Sequence, residues 1–159
     1  MSRSGKSTLS LQLAISLAGQ FDHVPIISQD DYCLPSHLLP LINGRPDWEH
    51  LDSVDWDKLH EAIHRASMSA KMVIVEGLFI FEDKKYKDLY YKKLFLEISN
   101  TTFFGRRNIE QRWGEEPDWY VQHVWDSFQS NRKRPTDTVK VSGESPINIE
   151  SLSKLLKLA

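Results

Sequence analysis

The sequence predicts an α/β domain, a mostly parallel sheet flanked by helices on both faces. Short apolar runs without alternation, Val24–Ser28, Met72–Val75 and Leu94–Ile98, have the pattern of strands buried on both faces. Stretches with three- and four-residue apolar spacing separate them, so helix and strand alternate along the chain. The strands also end in telling residues: Asp30-Asp31 after the first, Glu76-Gly77 after the second, and Gly143 after a last strand at Thr138–Val141. In sheets of this kind ligands bind beyond the carboxyl ends of the strands.

Each element has a local reason. From Ser7 to Gly19, Leu9, Leu13 and Leu17 form one stripe while Leu11, Ala14, Ile15 and Ala18 form a neighbouring one, which predicts a helix wedged between other elements. Gly19 is its stop signal, and Pro25 belongs at the start of the strand that follows. Cys33 to Asp52 carries Pro35, Pro40, Gly44 and Pro46 among polar residues and reads as a long loop with little regular structure, the kind that usually serves function. Asp55 to Met68 resumes a helical period through Trp56, Leu59, Ala62 and Ile63. Further helices are expected at about Thr101–Arg112, Pro117–Arg132 and Ile149–Leu158.

Composition narrows the class. The 159 residues suit one domain, 1–159, large enough to bury a core without staples. Twenty basic against 22 acidic residues give a net charge of −2, so no basic field points to nucleic acid. One cysteine, Cys33, excludes a disulfide scaffold and a multi-cysteine zinc site. Arg3 and Lys6 before the apolar stretch Leu9–Ala18 partly imitate a secretory signal, but Ser10, Gln12 and Ser16 interrupt it. Met72–Phe81, which contains Glu76, is too short and polar to span a bilayer. A cytoplasmic globular domain without membrane association is expected.

Ser4-Gly5-Lys6-Ser7-Thr8, running directly into a helix, matches the second half of the phosphate-loop pattern G-x-x-x-x-G-K-[ST]. Gly5 lets the backbone fold closely round an anion, and the helix N-terminus faces it with positive potential. Lys6 can reach β- and γ-phosphates, and the Ser7 hydroxyl can ligate Mg²⁺. Gly-Lys-Ser-Thr alone also fits the start of a surface helix. Phosphoryl transfer further needs one carboxylate for the attacking hydroxyl and another for the metal, and Asp30 or Asp31 and Glu76 stand at strand ends that can supply them. A helix cap or a solvated strand end explains each acid singly. His60 and His64 lack a third ligand and read as a solvated helix face, His123 packs or caps within its helix, and Cys33 lacks a histidine partner for nucleophilic work.

Ile27-Ser28-Gln29-Asp30-Asp31-Tyr32, Asp47-Trp48-Glu49, Asp52-Ser53-Val54-Asp55, Val73-Ile74-Val75-Glu76-Gly77 and Tyr120–Trp125 together resemble the nicotinamide riboside kinase family, within the uridine kinase-like P-loop kinases. The resemblance runs from Gly5 to about Leu155. It implies a P-loop kinase-like fold and transfer of the γ-phosphoryl group of ATP, or in some members GTP, to the 5′-hydroxyl of nicotinamide riboside, with Mg²⁺ as cofactor and nicotinamide mononucleotide as product. A uridine/cytidine or pantothenate-type kinase on the same scaffold is the enzymatic alternative. A truncated, non-catalytic nucleotide-binding chain is the other.

Residue by residue, the resemblance implies that Ser4, Gly5, Lys6, Ser7 and Thr8 bind nucleotide, with Lys6 also in catalysis, that Asp30 is the general base at the acceptor hydroxyl, and that Ser7 and Glu76 serve the metal. Trp48 stands where an aromatic residue stacks on the positively charged nicotinamide ring, within an acceptor-binding loop at about 33–54. Glu49 replaces the family's usual aspartate at the ribose hydroxyls and sets its acceptors one methylene further out. Arg106, Arg107 and Arg112 match an arginine-rich lid at about 105–118: Arg106 and Arg107 are expected in catalysis, Arg107 also at the acceptor, and Arg112 at the nucleotide. Trp113 is expected as the second wall of the nicotinamide site, and Gly143 to Pro146, with Ser145, as the loop bordering adenine. A monomer is expected. The first glycine of the phosphate-loop pattern would precede Met1, and with it a central strand; the expectation is therefore an incomplete chain with weak or no kinase activity.

Overall fold

The computed structural model describes residues 2–109, 114–131 and 134–157. In chain order the elements are α1 (Lys6–Leu17), β1 (Ile26–Ser28), β2 (Leu41–Ile42), β3 (Arg45–Pro46), α2 (Trp56–Ser69), β4 (Ile74–Glu76), β5 (Leu94–Glu97), α3 (Asn100–Ile109), α4 (Asp118–Asn131), β6 (Val139–Ser142) and α5 (Ile149–Leu156). The architecture is mixed α/β with short parallel sheets. It divides into two compact units, one formed by Met1–Lys6 with Phe81–Asn148 and the other by Ser7–Ile80 with Ile149–Ala159.

In the Ser7–Ile80 unit, β1 and β4 pair in parallel with Ile26 opposite Ile74, Ile27 opposite Val75 and Ser28 opposite Glu76. Parallel neighbours require a crossover, and α2 supplies it. Its start is capped by Asp55, whose side chain accepts the Lys58 amide at 3.2 Å and pairs with the Lys58 ammonium at 2.8 Å. Leu59, Ala62, Ile63 and Ala66 on α2 are buried, as are Leu9, Leu13 and Leu17 on α1 and Leu152 and Leu156 on α5. The second apolar stripe of α1 is not covered: Leu11 is 55% and Ile15 67% exposed. Leu11 lies two residues beyond Leu9, about 200° further round the helix, so one core face cannot hold both.

The other unit is built the same way. β5 and β6 pair in parallel from Leu94 opposite Val139 to Glu97 opposite Ser142, joined through α3 and α4. Aromatic rings fill it: Phe95 stacks on Phe81 at 6.4 Å and Phe128 at 5.9 Å between centroids, and fully buried Phe103 meets Trp125 at 5.4 Å.

The single parallel sheet expected from the strand pattern is thus replaced by two separate parallel ladders. Strands of three and four residues each satisfy only one neighbour among the described residues. The long loop also holds more structure than its composition suggests. β2 and β3 form a small antiparallel hairpin turning through Asn43 and Gly44, at φ 48° and 76°. Both angles lie in the left-handed region that this turn requires and that Asn-Gly supplies. Among the described residues, no helix is long and apolar enough to cross a membrane.

Candidate functional site

The carboxyl end of the β1–β4 ladder gathers several of the expected residues. Glu76 ends β4 and is 7% exposed. Its Oε1 accepts the Ser28 hydroxyl from the paired strand at 2.8 Å and the Ser7 hydroxyl from the first turn of α1 at 2.9 Å. Its Oε2 is buried without a hydrogen-bond partner among the described residues. A buried carboxylate oxygen left unmatched is costly, so this atom marks a place where a cation or a donor belongs. Mg²⁺ fits that chemistry: it takes oxygen ligands, commonly one or two carboxylates with phosphate and water. Among the described residues no three His, Cys, Asp or Glu side chains gather as a metal cage, so a metal here depends on oxygens the ligand brings.

The chain leaves β1 in a tight 3-10 turn over Gln29–Tyr32, which presents Asp30 at the surface two residues past Ser28. Gln29 anchors the turn. It is 1% exposed, and its amide oxygen accepts the Phe79 amide at 2.8 Å. Gly77 is required beneath it, because a Cβ there would lie 2.4 Å from the Gln29 Cβ. Burial, reinforced by the charges of Asp30 and Asp31, pushes the Cys33 thiol up to about 11. The thiol is therefore largely protonated near neutrality.

The segment from Cys33 to Val54 is an excursion whose ends are tied together. Cys33 and Val54 bridge in antiparallel fashion, the Leu34 amide donates to the Ser53 carbonyl at 2.8 Å, and the Asp55 amide donates to the Tyr32 carbonyl at 2.8 Å. On its return limb Asp47 accepts the Glu49 amide at 2.9 Å and the Ser53 hydroxyl donates to the Trp48 carbonyl at 3.4 Å. The Trp48 side chain stays 40% exposed and Glu49 is half-buried. A fixed backbone carrying a part-exposed indole suits a stacking platform.

The other unit holds most of the remaining expected residues. Arg3 at φ 60° and Gly5 at φ 95° flank Ser4, which is 1% exposed. Left-handed residues on both sides of Ser4 turn the backbone sharply just before α1. Lys6, the first residue of α1, is half-buried, while Thr8 in the same helical turn is exposed. Arg106 donates to the Arg3 carbonyl at 2.9 Å and to the Gly143 carbonyl at 2.7 Å. Arg107 binds Glu116 in a two-pronged pair at 2.6 and 2.7 Å and donates to the Ser2 hydroxyl at 3.0 Å. Gly143 is buried and Ser145 exposed; Arg112 and Trp113 lie outside the described residues.

Four residues escaped sequence reasoning as contributors. Ser28 was readable only through its register with Glu76. Gln29 showed itself as an uncharged polar residue before two acids. Glu116 and Glu144 carry no local signal, since their partners come from remote segments. No protein-family model matches the chain, and the curated proteins offer no match to its sequence.

Proposed function

We propose that this chain is a P-loop, small-molecule kinase that phosphorylates the 5′-hydroxyl of nicotinamide riboside at the expense of ATP or GTP. One observation carries the reading. The serine of Gly-Lys-Ser-Thr, opening a helix, donates to a buried strand-end carboxylate that keeps its second oxygen unmatched. A solvated helix start and a stray surface acid do not produce that pair.

In this reading the segment Ser4, Gly5, Lys6, Ser7 and Thr8 holds the nucleotide phosphates. Ser7 and Glu76 hold Mg²⁺, which when bound offsets charge on the phosphates. Asp30 accepts the proton of the 5′-hydroxyl as its oxygen bonds to the γ-phosphorus. The bond from that phosphorus to the β,γ-bridging oxygen breaks, and ADP leaves with the electron pair. Trp48 stacks on the cationic nicotinamide ring, and Glu49 accepts from the ribose hydroxyls.

The test is a panel of nicotinamide riboside, uridine, cytidine and pantothenate incubated with the chain, Mg²⁺ and ATP or GTP, read by mass spectrometry. Nicotinamide mononucleotide should accumulate above the level given by Asp30→Asn. Phosphorylated uridine without nicotinamide mononucleotide would move the assignment to a pyrimidine nucleoside kinase. No phosphorylated product on any acceptor would remove the kinase reading.

A further inference from the structure

We infer that Arg106 is a positioning residue, holding the phosphate-binding turn in shape by gripping the Arg3 carbonyl within it. The inference rests on the nucleotide-binding reading of Ser4–Thr8. It departs from the role that position alone suggested, an arginine closing over the transferred group.

The guanidinium is already committed. Nη1 donates to the Arg3 carbonyl at 2.9 Å and Nη2 to the Gly143 carbonyl at 2.7 Å, so its fork spans two backbone segments. The first of these bonds matters for the turn. Arg3 sits at φ 60°, a left-handed conformation that a residue with a Cβ disfavours, so something outside the turn must keep it there. The peptide joining Arg3 to Ser4 is trans, which sets the Arg3 carbonyl and the Ser4 N–H on opposite sides of one plane. Fixing the carbonyl on Arg106 therefore also fixes the Ser4 N–H, on the opposite side of the same peptide plane.

The second bond supplies the anchor. Gly143 packs so tightly on the turn that a Cβ there would stand 2.3 Å from the Ser4 carbonyl oxygen. The next residue, Glu144, accepts from the Ser99 amide and the Thr102 hydroxyl at the start of α3. Thr102 and Arg106 are four residues apart on one face of α3. The helix, the 143–144 segment and the phosphate turn thus form a closed set of ties, with Arg106 as the member that reaches the turn.

A positioning role and a lid role predict different losses. The measurement is the dissociation constants of Mg-ADP and Mg-ATP, with kcat and the acceptor KM, for the wild type, Arg106→Lys and Arg106→Ala. Thermal melting of each is recorded alongside. Positioning predicts that both nucleotides weaken together by roughly tenfold in each variant, since lysine keeps the charge but not the fork. The kcat at saturating ATP should fall less, and the acceptor KM should hold. Gly143→Ala, which pushes on the same turn from the anchored side, should reproduce the joint loss even if an Arg106 variant fails to fold. Weaker ATP with unchanged ADP, or a fall in kcat alone, would make Arg106 a contact of the γ-phosphoryl group and overturn the inference. Unchanged affinity for both nucleotides would overturn it as well. If the wild type binds neither nucleotide, the nucleotide reading itself fails; if it binds both and the variants match it, only the positioning role fails.

Discussion

Two charged clusters show opposite states of completion. At the end of the β1–β4 ladder, Glu76 is buried with one oxygen satisfied twice and the other unmatched among the described residues. Around α3, Arg106 is matched to two carbonyls and Arg107 to both oxygens of Glu116, with side chains only 10% and 16% exposed in the latter pair. The difference is between side chains whose polar groups are matched and a buried carboxylate that keeps one oxygen unmatched among the described residues. A satisfied buried pair contributes mainly through what its loss leaves behind, whereas an unmatched buried acceptor costs stability until something binds it. On this view changes at the ladder edge should move binding and rate, and changes at the α3 cluster should move stability or the shape of the phosphate turn.

The largest expected effect belongs to the edge. Asp30→Asn keeps the size of the side chain but cannot accept a proton, so the rate of phosphorylation should fall by about 10²–10⁴ with nucleotide affinity and melting temperature nearly unchanged. Equal loss from Asp31→Asn but not from Asp30→Asn would put the base one residue on. Next comes Cys33, which reports burial and negative charge beside Asp30 and Asp31. A thiol raised from 9.0 to about 11 should react with iodoacetamide at pH 8 roughly a hundredfold more slowly than an ordinary cysteine. Its reactivity should rise with pH through that range, because the thiolate appears only as the shifted group deprotonates. Asp30→Asn should speed the reaction modestly, since burial is the larger cause.

The α3 cluster answers in stability. Glu116→Gln removes the charge opposite Arg107 and should lower unfolding stability by about 1.5–3 kcal/mol in denaturant titration. A variant as stable as the wild type would break the contrast between the clusters. The smallest effect is expected at the open indole. Trp48→Ala should raise the KM for nicotinamide riboside by roughly five- to thirtyfold, the worth of about 1–2 kcal/mol of cation–π contact, and leave that for ATP alone. A matching rise for both would make Trp48 a prop of the loop.

Much of this was readable from residues alone. The apolar runs gave every longer strand, and the three- and four-residue spacings gave all the helices within a few residues of their ends. The strand-end acids stood where a parallel ladder would put them. The Asn43-Gly44 hairpin was missed although its turn dipeptide was plain, because Pro35, Pro40 and Pro46 drew the whole segment toward irregular structure. Leu11 and Ile15 suggested a wedged helix, but periodicity cannot say whether a second stripe finds a cover. The partners of Arg106 were not legible at all. They are main-chain carbonyls, which carry no side-chain signature, brought in from positions 103 and 37 residues away.

The contrast between the clusters is tested most directly at the unmatched oxygen of Glu76. Calorimetric titration of ADP, with Mg²⁺ and with a chelator, compares the wild type with Glu76→Gln. Mg²⁺ should tighten binding to the wild type by about 10–100-fold, and Glu76→Gln should lose that gain while binding metal-free ADP as before. A gain from Mg²⁺ that survives in Glu76→Gln, or a wild type indifferent to Mg²⁺, would contradict the assignment of this carboxylate to a ligand-borne cation.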